Sequence, residues 1–242
     1  MTSTSPKPTV ILVHGAWADG SSWQKVIPLL LKEEIPVIAV QNPTSSLADD
    51  AAATRRIMNS VEGPIVLVGH SWGGAVITEA GSDPKVKALV YVAAFAPKAG
   101  ETVGDQVGRH PAPPGLSQIR NDGAGYLTLS EEGWMNDVGQ DLPKEEARVL
   151  CVLQPPLAAG TFGDKVTEAA WVSRPAWYIV STEDRVVSVE LERELAAAMG
   201  ATTTELAASH LSLLSMPEAV TSVILDAVAA VAARHLACAA RG

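Results

Sequence analysis

The sequence predicts a doubly wound α/β fold, in which a parallel sheet carries helices on both faces. Short runs of Val, Ile and Leu alternate with helical segments along the chain. The runs lack the polar alternation of half-exposed strands, which indicates burial on both faces, and the helical segments supply the crossovers that parallel strands need. The 242 residues, 47% of them hydrophobic, are enough for one sizeable core. We therefore expect a single domain over residues 1–242.

Six segments are candidate strands, so the predicted sheet has about six of them. In chain order they read TVILVHG, PVIAVQNP, PIVLVGHS, KALVYVAAF, AWYIVSTED and TTTEL. Between the fourth and fifth segments, at about residues 97–175, the pattern gives way to Pro- and Gly-rich stretches such as RHPAPPG and LQPPLAAG. Short helices are expected there around EEGWMND and PKEEARVLCVL. We interpret this stretch as a small inserted lid over the carboxyl edge of the sheet, where open α/β folds place their sites.

Charge and cysteine content restrict the partners and the compartment. With 18 basic and 27 acidic residues the net charge is −9, which disfavours nucleic acid and anionic membranes as partners. Cys151 and Cys238 lie far apart, and the first residues, MTSTSPKPT, show no basic segment followed by an apolar one, so we expect a cytoplasmic protein without a disulfide framework. The apolar stretch near the end is interrupted by Asp226, Arg234 and His235, which favours an amphipathic closing helix over a membrane span.

The stretch VLVGHSWGG contains the pattern G-x-S-x-G at a predicted strand-to-helix corner. In this context the pattern is typical of a nucleophile elbow, a strained turn that exposes a serine hydroxyl. Gly69 and Gly73 would let the strand and the helix cross without Cβ clashes. Ser71 is therefore the candidate nucleophile.

A serine hydroxyl needs a base, and the base needs an orienting acid, in the chain order Ser, Asp, His. Asp184 follows the fifth predicted strand, and His210 follows the last one. Glu183 is the alternative acid, and the shorter side chain of Asp184 suits a fixed turn better. We expect Ser71, Asp184 and His210 to form a catalytic triad.

An acyl-transfer site also needs two backbone donors for the oxyanion. One should be the N–H of Trp72, the residue after the nucleophile. The other should be the N–H of Ala16 in the loop after the first strand, where Gly15 lets the backbone turn inward.

The remaining histidines have structural interpretations. We expect His14 to brace the oxyanion loop, His70 to pack beside the elbow, and His110 and His235 to lie in solvated or helix-terminal positions. The Cys and His spacing indicates no metal site.

Several motifs together resemble the small α/β-hydrolases related to plant methylesterases and hydroxynitrile lyases, and especially their bacterial relatives. These motifs are VILVHGAWADGSSW, VGHSWGG, LVYVAAFAP, YIVSTED and ASHLSLLSMPEAV. The resemblance implies an α/β-hydrolase fold with about six parallel strands. It also implies that Ser71, Asp184 and His210 form the triad and that Ala16 and Trp72 supply the oxyanion donors.

The same resemblance separates esterases from lyases. Hydroxynitrile lyases of this family carry threonine after the first-strand histidine and lysine after the catalytic histidine, whereas this chain has Gly15 and Leu211. Without that cation a cyanide leaving group is less stabilised, so cyanohydrin cleavage is disfavoured. Methylesterases of the family often carry a second histidine where this chain has Ala18, so the plant substrates are not implied.

The sequence thus predicts a serine esterase that cleaves small to medium carboxylic esters or lactones without a metal or an organic cofactor. Its expected partner is a small-molecule ester, and a homodimer is left open. Trp17, Trp134 and Leu211 are the candidate substrate-binding residues. The alternatives are a lyase-like or perhydrolase activity on the same triad, or a non-catalytic ligand-binding receptor with this fold.

Overall fold

A computed structural model describes the backbone of residues 7–239 and the side chains of residues 7–234. The sequence-based interpretations of His235 and Cys238 concern side chains outside the described residues.

The predicted sheet of about six parallel strands is confirmed. Along the chain the strands are β1 (Thr9–Val13), β2 (Val37–Ala39), β3 (Ile65–His70), β4 (Val86–Val92), β5 (Ile119–Asn121), β6 (Tyr126–Leu129), β7 (Leu157–Ala158), β8 (Ala176–Ser181) and β9 (Thr202–Leu206). The main sheet has the order β2-β1-β3-β4-β8-β9 and every neighbouring pair is parallel. Its six strands correspond to the six segments expected from the sequence.

Helices cover both faces of this sheet. They are α1 (Val26–Lys32), α2 (Leu47–Asn59), α3 (Trp72–Ala80), α4 (Val103–Val107), α5 (Glu131–Gly133), α6 (Lys144–Leu153), α7 (Val189–Met199), α8 (Ser212–Ser215) and α9 (Pro217–Ala239). Residues of α1, α8 and α9 share one apolar cluster, and those of α2, α3 and α7 share another. None of the described helices is both long enough and apolar enough to cross a bilayer.

Burial on both faces explains the uninterrupted apolar runs. In β1, Val10 and Leu12 belong to the cluster with α1 and α9, whereas Ile11 and Val13 belong to the cluster with α2 and α3. All four side chains are fully buried. Since successive side chains of a strand point to opposite faces, both faces must be apolar when both are covered.

The strand order reverses between β1 and β3, because the chain moves outward from β1 to β2 and then returns to β3. Ligands of open α/β sheets bind outside the carboxyl ends of the strands at such a switch point. The loop after β1 and the turn after β3 leave the sheet at this position, and these are the segments with the predicted oxyanion donors and nucleophile.

Between β4 and β8 the chain forms short elements instead of further sheet-and-helix units. The expected short helices are present as α5, followed by a π-helical turn over Trp134–Val138, and as α6. A small antiparallel sheet of β5, β6 and β7 was not expected from the sequence. Its strands have two to four residues, too few for a visible period. The sequence feature that indicates this hairpin is the glycine-containing turn between β5 and β6, where Gly123 and Gly125 have φ angles of 79° and 96°.

Candidate active site

Ser71 lies in the tight turn between β3 and α3. Its backbone angles are φ 51° and ψ −120°, a conformation that L-residues rarely adopt and that costs on the order of 1–3 kcal/mol. A Cβ on Gly69 would lie 2.5 Å from the carbonyl oxygen of Gly73, and a Cβ on Gly73 would lie 2.4 Å from that of Val13. Both contacts are with backbone, which cannot easily move. The two glycines therefore permit the close crossing that holds the serine in this strained turn.

Asp184 and His210 are directly paired. The Nδ1–H of His210 donates to Oδ2 of Asp184 at 2.5 Å, and both side chains are buried. The other carboxylate oxygen of Asp184 accepts from the backbone N–H groups of Val186 at 2.7 Å and Val187 at 2.9 Å. The rival acid Glu183 has an exposed side chain. The pairing fixes the proton on Nδ1 and leaves Nε2 of His210 free to accept one.

The residue before Ser71 contacts this pair, whereas Ser71 itself forms no hydrogen bond to it among the described residues. Among the described residues, the hydrogen bonds of the His210 side chain do not include one from Ser71 Oγ. The ring of His70, the preceding residue, lies 4.7 Å from the ring of His210. Catalytic hydrogen bonds are often long or misaligned without substrate and tighten when it binds. The turn at Ser71 therefore contacts His210 through His70, and Ser71 Oγ is not hydrogen-bonded to the imidazole in this state.

The two predicted oxyanion donors face the same turn. Trp72 is the first residue of α3, so its N–H has no partner inside the helix. Neither this N–H nor that of Ala16 donates to a backbone carbonyl in the described part of the chain. The loop that carries Ala16 passes close to the nucleophile, since a Cβ on Gly15 would lie 2.9 Å from Cβ of Ser71. Two free backbone donors therefore flank the serine.

His14 braces the oxyanion loop, as the sequence suggested. Its Nε2 accepts from the backbone N–H of Asn42 at 2.9 Å, so the proton is on Nδ1, which donates to the carbonyl of Gly15 at 2.9 Å. Burial lowers the pKa of His14 below its ordinary value, which keeps the ring neutral. A neutral ring can serve both bonds and hold the backbone just before Ala16.

His70 does more than the packing expected from the sequence. Its Nε2 donates to the carbonyl of His210 at 2.9 Å, so it ties the turn after β3 to the loop after β9. Burial first, and then the neighbouring His210, lowers the pKa of His70 well below its ordinary value. This contact joins residues 140 positions apart and has no local sequence signal.

A buried carboxyl group, which the sequence analysis did not single out, supports the indole of Trp72. Asp50 of α2 accepts from Trp72 Nε1 at 2.8 Å and from the backbone N–H of Thr44 at 2.8 Å. Burial raises the pKa of Asp50 to about 6, despite the opposing effect of these two donors. Asp50 therefore anchors the ring of a predicted oxyanion residue.

A cavity of about 180 Å³ opens beside Ser71 and is almost entirely apolar. The ring of Phe162 packs edge-on against Trp17 and Trp72, at centroid distances of 6.2 and 5.9 Å. Of the three candidate substrate-binding residues, only Trp17 lines this cavity. The lining residues are Ala16, Trp17, Ser71, Trp72, Phe95, Gly104, Val107, Leu116, Ile119, Phe162 and Val186.

The structure does not place Trp134 and Leu211 on this cavity. Both line a separate recess of about 20 Å³, which Trp17 also lines. Leu211 follows the catalytic histidine candidate directly, but its side chain is buried and turned toward this recess. Although Leu211 follows His210 in the sequence, its side chain does not line the cavity at Ser71.

Residues of the inserted segment bind the loops that carry Asp184 and His210. The side-chain amide of Gln140 donates to the carbonyl of Glu183 at 2.7 Å. The carboxylate of Asp141 accepts from the backbone N–H of Ser209 at 2.8 Å. His110, expected to be solvated, instead pairs with Glu194 at 2.8 Å. Within residues 7–234, no group of three or more His, Cys, Asp or Glu side chains is arranged to hold a metal ion.

Comparison with known proteins assigns the chain to a family. Residues 10–223 match the sequence profile of the alpha/beta hydrolase family. The chain belongs to this family. It is 26% identical over 246 residues to a probable hydrolase from Phoma sp., covering 91% of this chain and 98% of that protein. It is 28% identical over 245 residues to a pyrethroid hydrolase from Sphingobium wenxiniae, covering 90% and 86% of the two chains.

A solved structure shows the same fold. The chain superposes on polyneuridine aldehyde esterase with a TM-score of 0.80 and 22% identity, covering 91% of this chain and 99% of that one. The resemblance expected from the sequence is thus confirmed, and the chain is an enzyme of the α/β-hydrolase superfamily.

Proposed function

We propose that the protein is a serine hydrolase that cleaves small to medium carboxylic esters or lactones through an acyl-enzyme. The observation that carries the proposal is the strained turn at Ser71, which opens onto an apolar cavity and is joined through His70 to the hydrogen-bonded His210–Asp184 pair. Strain of this kind persists only where the surrounding structure enforces it, and it is concentrated at functional sites. The hydrolases and the esterase among the similar proteins support the same reaction class.

In the proposed reaction Ser71 Oγ attacks the ester carbonyl carbon while His210 Nε2 takes the hydroxyl proton. The N–H groups of Ala16 and Trp72 donate to the oxyanion that forms. Asp184 holds the Nδ1–H tautomer and stabilises the imidazolium. His210 then gives the proton to the leaving alcohol, and the acyl group remains on Ser71.

Water completes the cycle by attacking the acyl carbonyl. His210 now takes a proton from water and returns it to Ser71 Oγ as the acid leaves. The same triad can transfer the acyl group to hydrogen peroxide, so perhydrolase activity is a side reaction to be measured with the hydrolysis.

The cavity restricts the substrate to compact, uncharged groups. Its volume is about 180 Å³, below the range of about 300–1,000 Å³ for pockets that hold drug-sized ligands. Its lining offers almost no polar surface to a charged or strongly hydrated group. We infer that the acyl or alcohol portion bound there is small and apolar.

Two positions argue against cyanohydrin cleavage. A Cβ on Gly15 would lie 2.9 Å from Cβ of Ser71, so the threonine typical of the related lyases would crowd the nucleophile. Leu211 supplies no cation and does not line the cavity at Ser71. A cyanide leaving group would therefore lack the stabilisation that this reaction needs.

The test is hydrolysis of p-nitrophenyl acetate by wild type and the Ser71→Ala variant, with Ser222→Ala as control. Ser222 is an exposed serine on α9 that does not line the cavity at Ser71. We expect Ser71→Ala to lose on the order of 10⁴- to 10⁶-fold in turnover with little change in melting temperature, because the hydroxyl contributes little to the core. The control should match wild type.

Retained turnover in Ser71→Ala would contradict the assignment of the nucleophile. Absence of turnover in wild type over a panel of esters and lactones, together with tight binding of one of them, would instead favour the ligand-binding receptor.

A further inference from the structure

A second carboxyl group lies behind the Asp184–His210 pair. Glu192 of α7 is fully buried, and its Oε2 accepts from the backbone N–H of Ser181 at 3.0 Å. Ser181 is the last residue of β8, and its own carbonyl accepts from the backbone N–H of Asp184 at 3.0 Å. The neighbouring Asp184 carboxyl group, through its charge and a hydrogen bond between the two side chains, adds to the burial that raises the pKa of Glu192. One strand end therefore gathers two buried carboxyl groups.

The second oxygen of Glu192 has no donor to accept from. Oε1 is buried, and no described residue forms a hydrogen bond with it. A carboxylate has only acceptors, so Oε1 of an ionised Glu192 would be left unpaired against the carboxylate of Asp184. A protonated Glu192 has an O–H donor, and Asp184 is an acceptor for it. Protonation thus turns a repulsive contact into a hydrogen bond.

Among the described residues, Arg193 is the positive charge that lowers the pKa of Glu192, and its effect is smaller than the opposing effects of burial and of Asp184. Arg193, the adjacent residue on α7, is half-exposed and binds both carboxylate oxygens of Glu205 at 2.8 Å. The hydroxyl of Tyr178 on β8 donates to the carbonyl of Ala94, so its proton is already used. On the far side of Asp184 lies His210, which bonds to Asp184 itself. The surroundings of Glu192 therefore favour its neutral form.

Elementary electrostatics agrees with this geometry. Burial, followed by the nearby charge of Asp184, raises the pKa of Glu192 well above its ordinary value. Removing a carboxylate from water without a cationic partner costs several kcal/mol, and a group in this position usually neutralises instead. Two carboxyl groups that share a site cannot both ionise easily.

We propose that Glu192 keeps its proton at neutral pH and donates it to Asp184, so that Glu192 is a positioning residue of the triad. This inference rests on the proposed function. Asp184 then has four donors: the N–H groups of Val186 and Val187, the Nδ1–H of His210 and the hydroxyl of Glu192. The fourth donor fixes the carboxylate plane and limits the negative charge that acts on the imidazole.

The test compares Glu192→Gln with Glu192→Met, and uses Glu183→Gln as control. Gln retains both a carbonyl for the N–H of Ser181 and an N–H donor for Asp184, without charge. Met has a similar length and neither group. We expect Glu192→Gln to keep the turnover of wild type. Glu192→Met should lose about tenfold in kcat, which corresponds to the cost of leaving one buried polar group unpaired.

A pH profile separates this role from simple packing. Without the donor from position 192, Asp184 presents more negative charge to His210, so the acid limb of the rate profile and the NMR titration of the His210 ring should move to higher pH in Glu192→Met. In Glu192→Gln and in Glu183→Gln, the acid limb of the rate profile and the NMR titration of the His210 ring should each coincide with those of wild type. A shift in Glu192→Gln equal to that in Glu192→Met would overturn the proposal.

A stability measurement tests the proton on Glu192 without any activity. Unfolded chains release this proton near pH 4.5, the ordinary pKa of Glu, whereas the folded state retains it. Wild type should therefore lose stability relative to Glu192→Gln as the pH rises above that value. The difference in melting temperature between Glu192→Gln and wild type should grow from pH 4 to pH 8, and that between Glu183→Gln and wild type should not.

A difference in melting temperature between Glu192→Gln and wild type that stays constant from pH 4 to pH 8 would mean that Glu192 is ionised in the folded state. This result would overturn the proposal. If wild type hydrolyses no ester, the proposed function fails, but the melting and NMR measurements still decide the state of Glu192. If Glu192→Met does not fold, the comparison of Glu192→Gln with wild type remains decisive.

Discussion

Individual carboxyl groups around the candidate site differ in the number of donors that reach them. Asp184 accepts from His210 and from two backbone N–H groups. Asp50 accepts from one indole and one backbone N–H. Glu192 accepts from one backbone N–H only. Burial raises the pKa of Asp50 to about 6 and raises that of Glu192 well above its ordinary value.

The first residue-scale prediction concerns the acid of the triad. Asn at position 184 cannot stabilise the imidazolium and can favour the wrong tautomer of His210, so we expect turnover to fall by about 10⁴-fold in Asp184→Asn. Glu183→Gln should change turnover little, because the Glu183 side chain is exposed. Steady-state kinetics on p-nitrophenyl acetate measure both. The opposite pattern would transfer the acid role to Glu183.

The second residue-scale prediction is a stability slope due to Asp50. Its pKa in the fold is about 6 against an ordinary value of 3.8. Because the folded value is the higher one, the stability that Asp50 contributes is present below pH 3.8 and is lost as the pH rises through about 6. This change amounts to on the order of 3 kcal/mol, at about 1.4 kcal/mol per pKa unit.

Melting curves of wild type and Asp50→Asn between about pH 4 and pH 7 measure this slope. Wild type should lose stability relative to the variant across that interval. Asp49→Asn is the matched control: hydrogen bonds from Ser46 and Ser45 lower the pKa of Asp49, so its variant should show no such trend or a weak one of opposite sign. Parallel curves for wild type and Asp50→Asn would show that Asp50 does not titrate in this range.

At the scale of secondary-structure elements, the site depends on how closely α3 crosses β1. The turn after β3 and the first turn of α3 pass over the end of β1, so that the backbone of Gly73 faces the carbonyl of Val13. This approach brings the N–H of Trp72 and the oxyanion loop to the same serine. The elbow pattern was readable from the sequence because its steric requirement is local. The hydrogen bond from His70 to the carbonyl of His210 could not be predicted from the sequence, because it depends on how two loops distant in the chain pack together.

The element-scale prediction is that Gly73→Ala is strongly destabilising. Its Cβ would lie 2.4 Å from the carbonyl oxygen of Val13, so β1 and α3 must separate, at a cost of about 1–3 kcal/mol or more. Gly160→Ala is the control, since a Cβ there meets no atom within 4 Å. Thermal unfolding compares the two variants. Equal melting temperatures would mean that the crossing is looser than described.

At the scale of the whole molecule, the inserted segment and the sheet enclose the cavity together. The cavity of about 180 Å³ is lined by Trp72 of α3, by Phe95 from the loop after β4, and by residues of the insertion, namely Leu116, Ile119 and Phe162. The sequence indicated Trp17, Trp134 and Leu211 as substrate-binding candidates, but it could not tell which apolar residues of the insertion line the cavity at the serine. Side-chain direction in short irregular elements follows from tertiary packing, which is also why Trp134 and Leu211 lie elsewhere.

The whole-molecule prediction is a preference for short acyl chains. A palmitoyl chain exceeds the described cavity, so acetate and butyrate esters should be hydrolysed much faster than palmitate esters, and oil droplets should cause no interfacial activation. A panel of p-nitrophenyl esters of increasing acyl length measures the preference, with small lactones and an aromatic cyanohydrin included. A maximum at long chains would contradict the cavity assignment, and rapid cyanide release would contradict the exclusion of lyase chemistry.

The central claim is that Ser71 carries the acyl group, and the most direct measurement is to trap that intermediate. Wild type is mixed with excess p-nitrophenyl acetate, quenched in acid within the first turnover, and digested for peptide mass spectrometry. We predict a burst of nitrophenol close to one equivalent per enzyme and an acetyl group on Ser71, with neither in Ser71→Ala. An acetyl group on another residue, or a burst that persists in Ser71→Ala, would contradict the mechanism proposed for this fold.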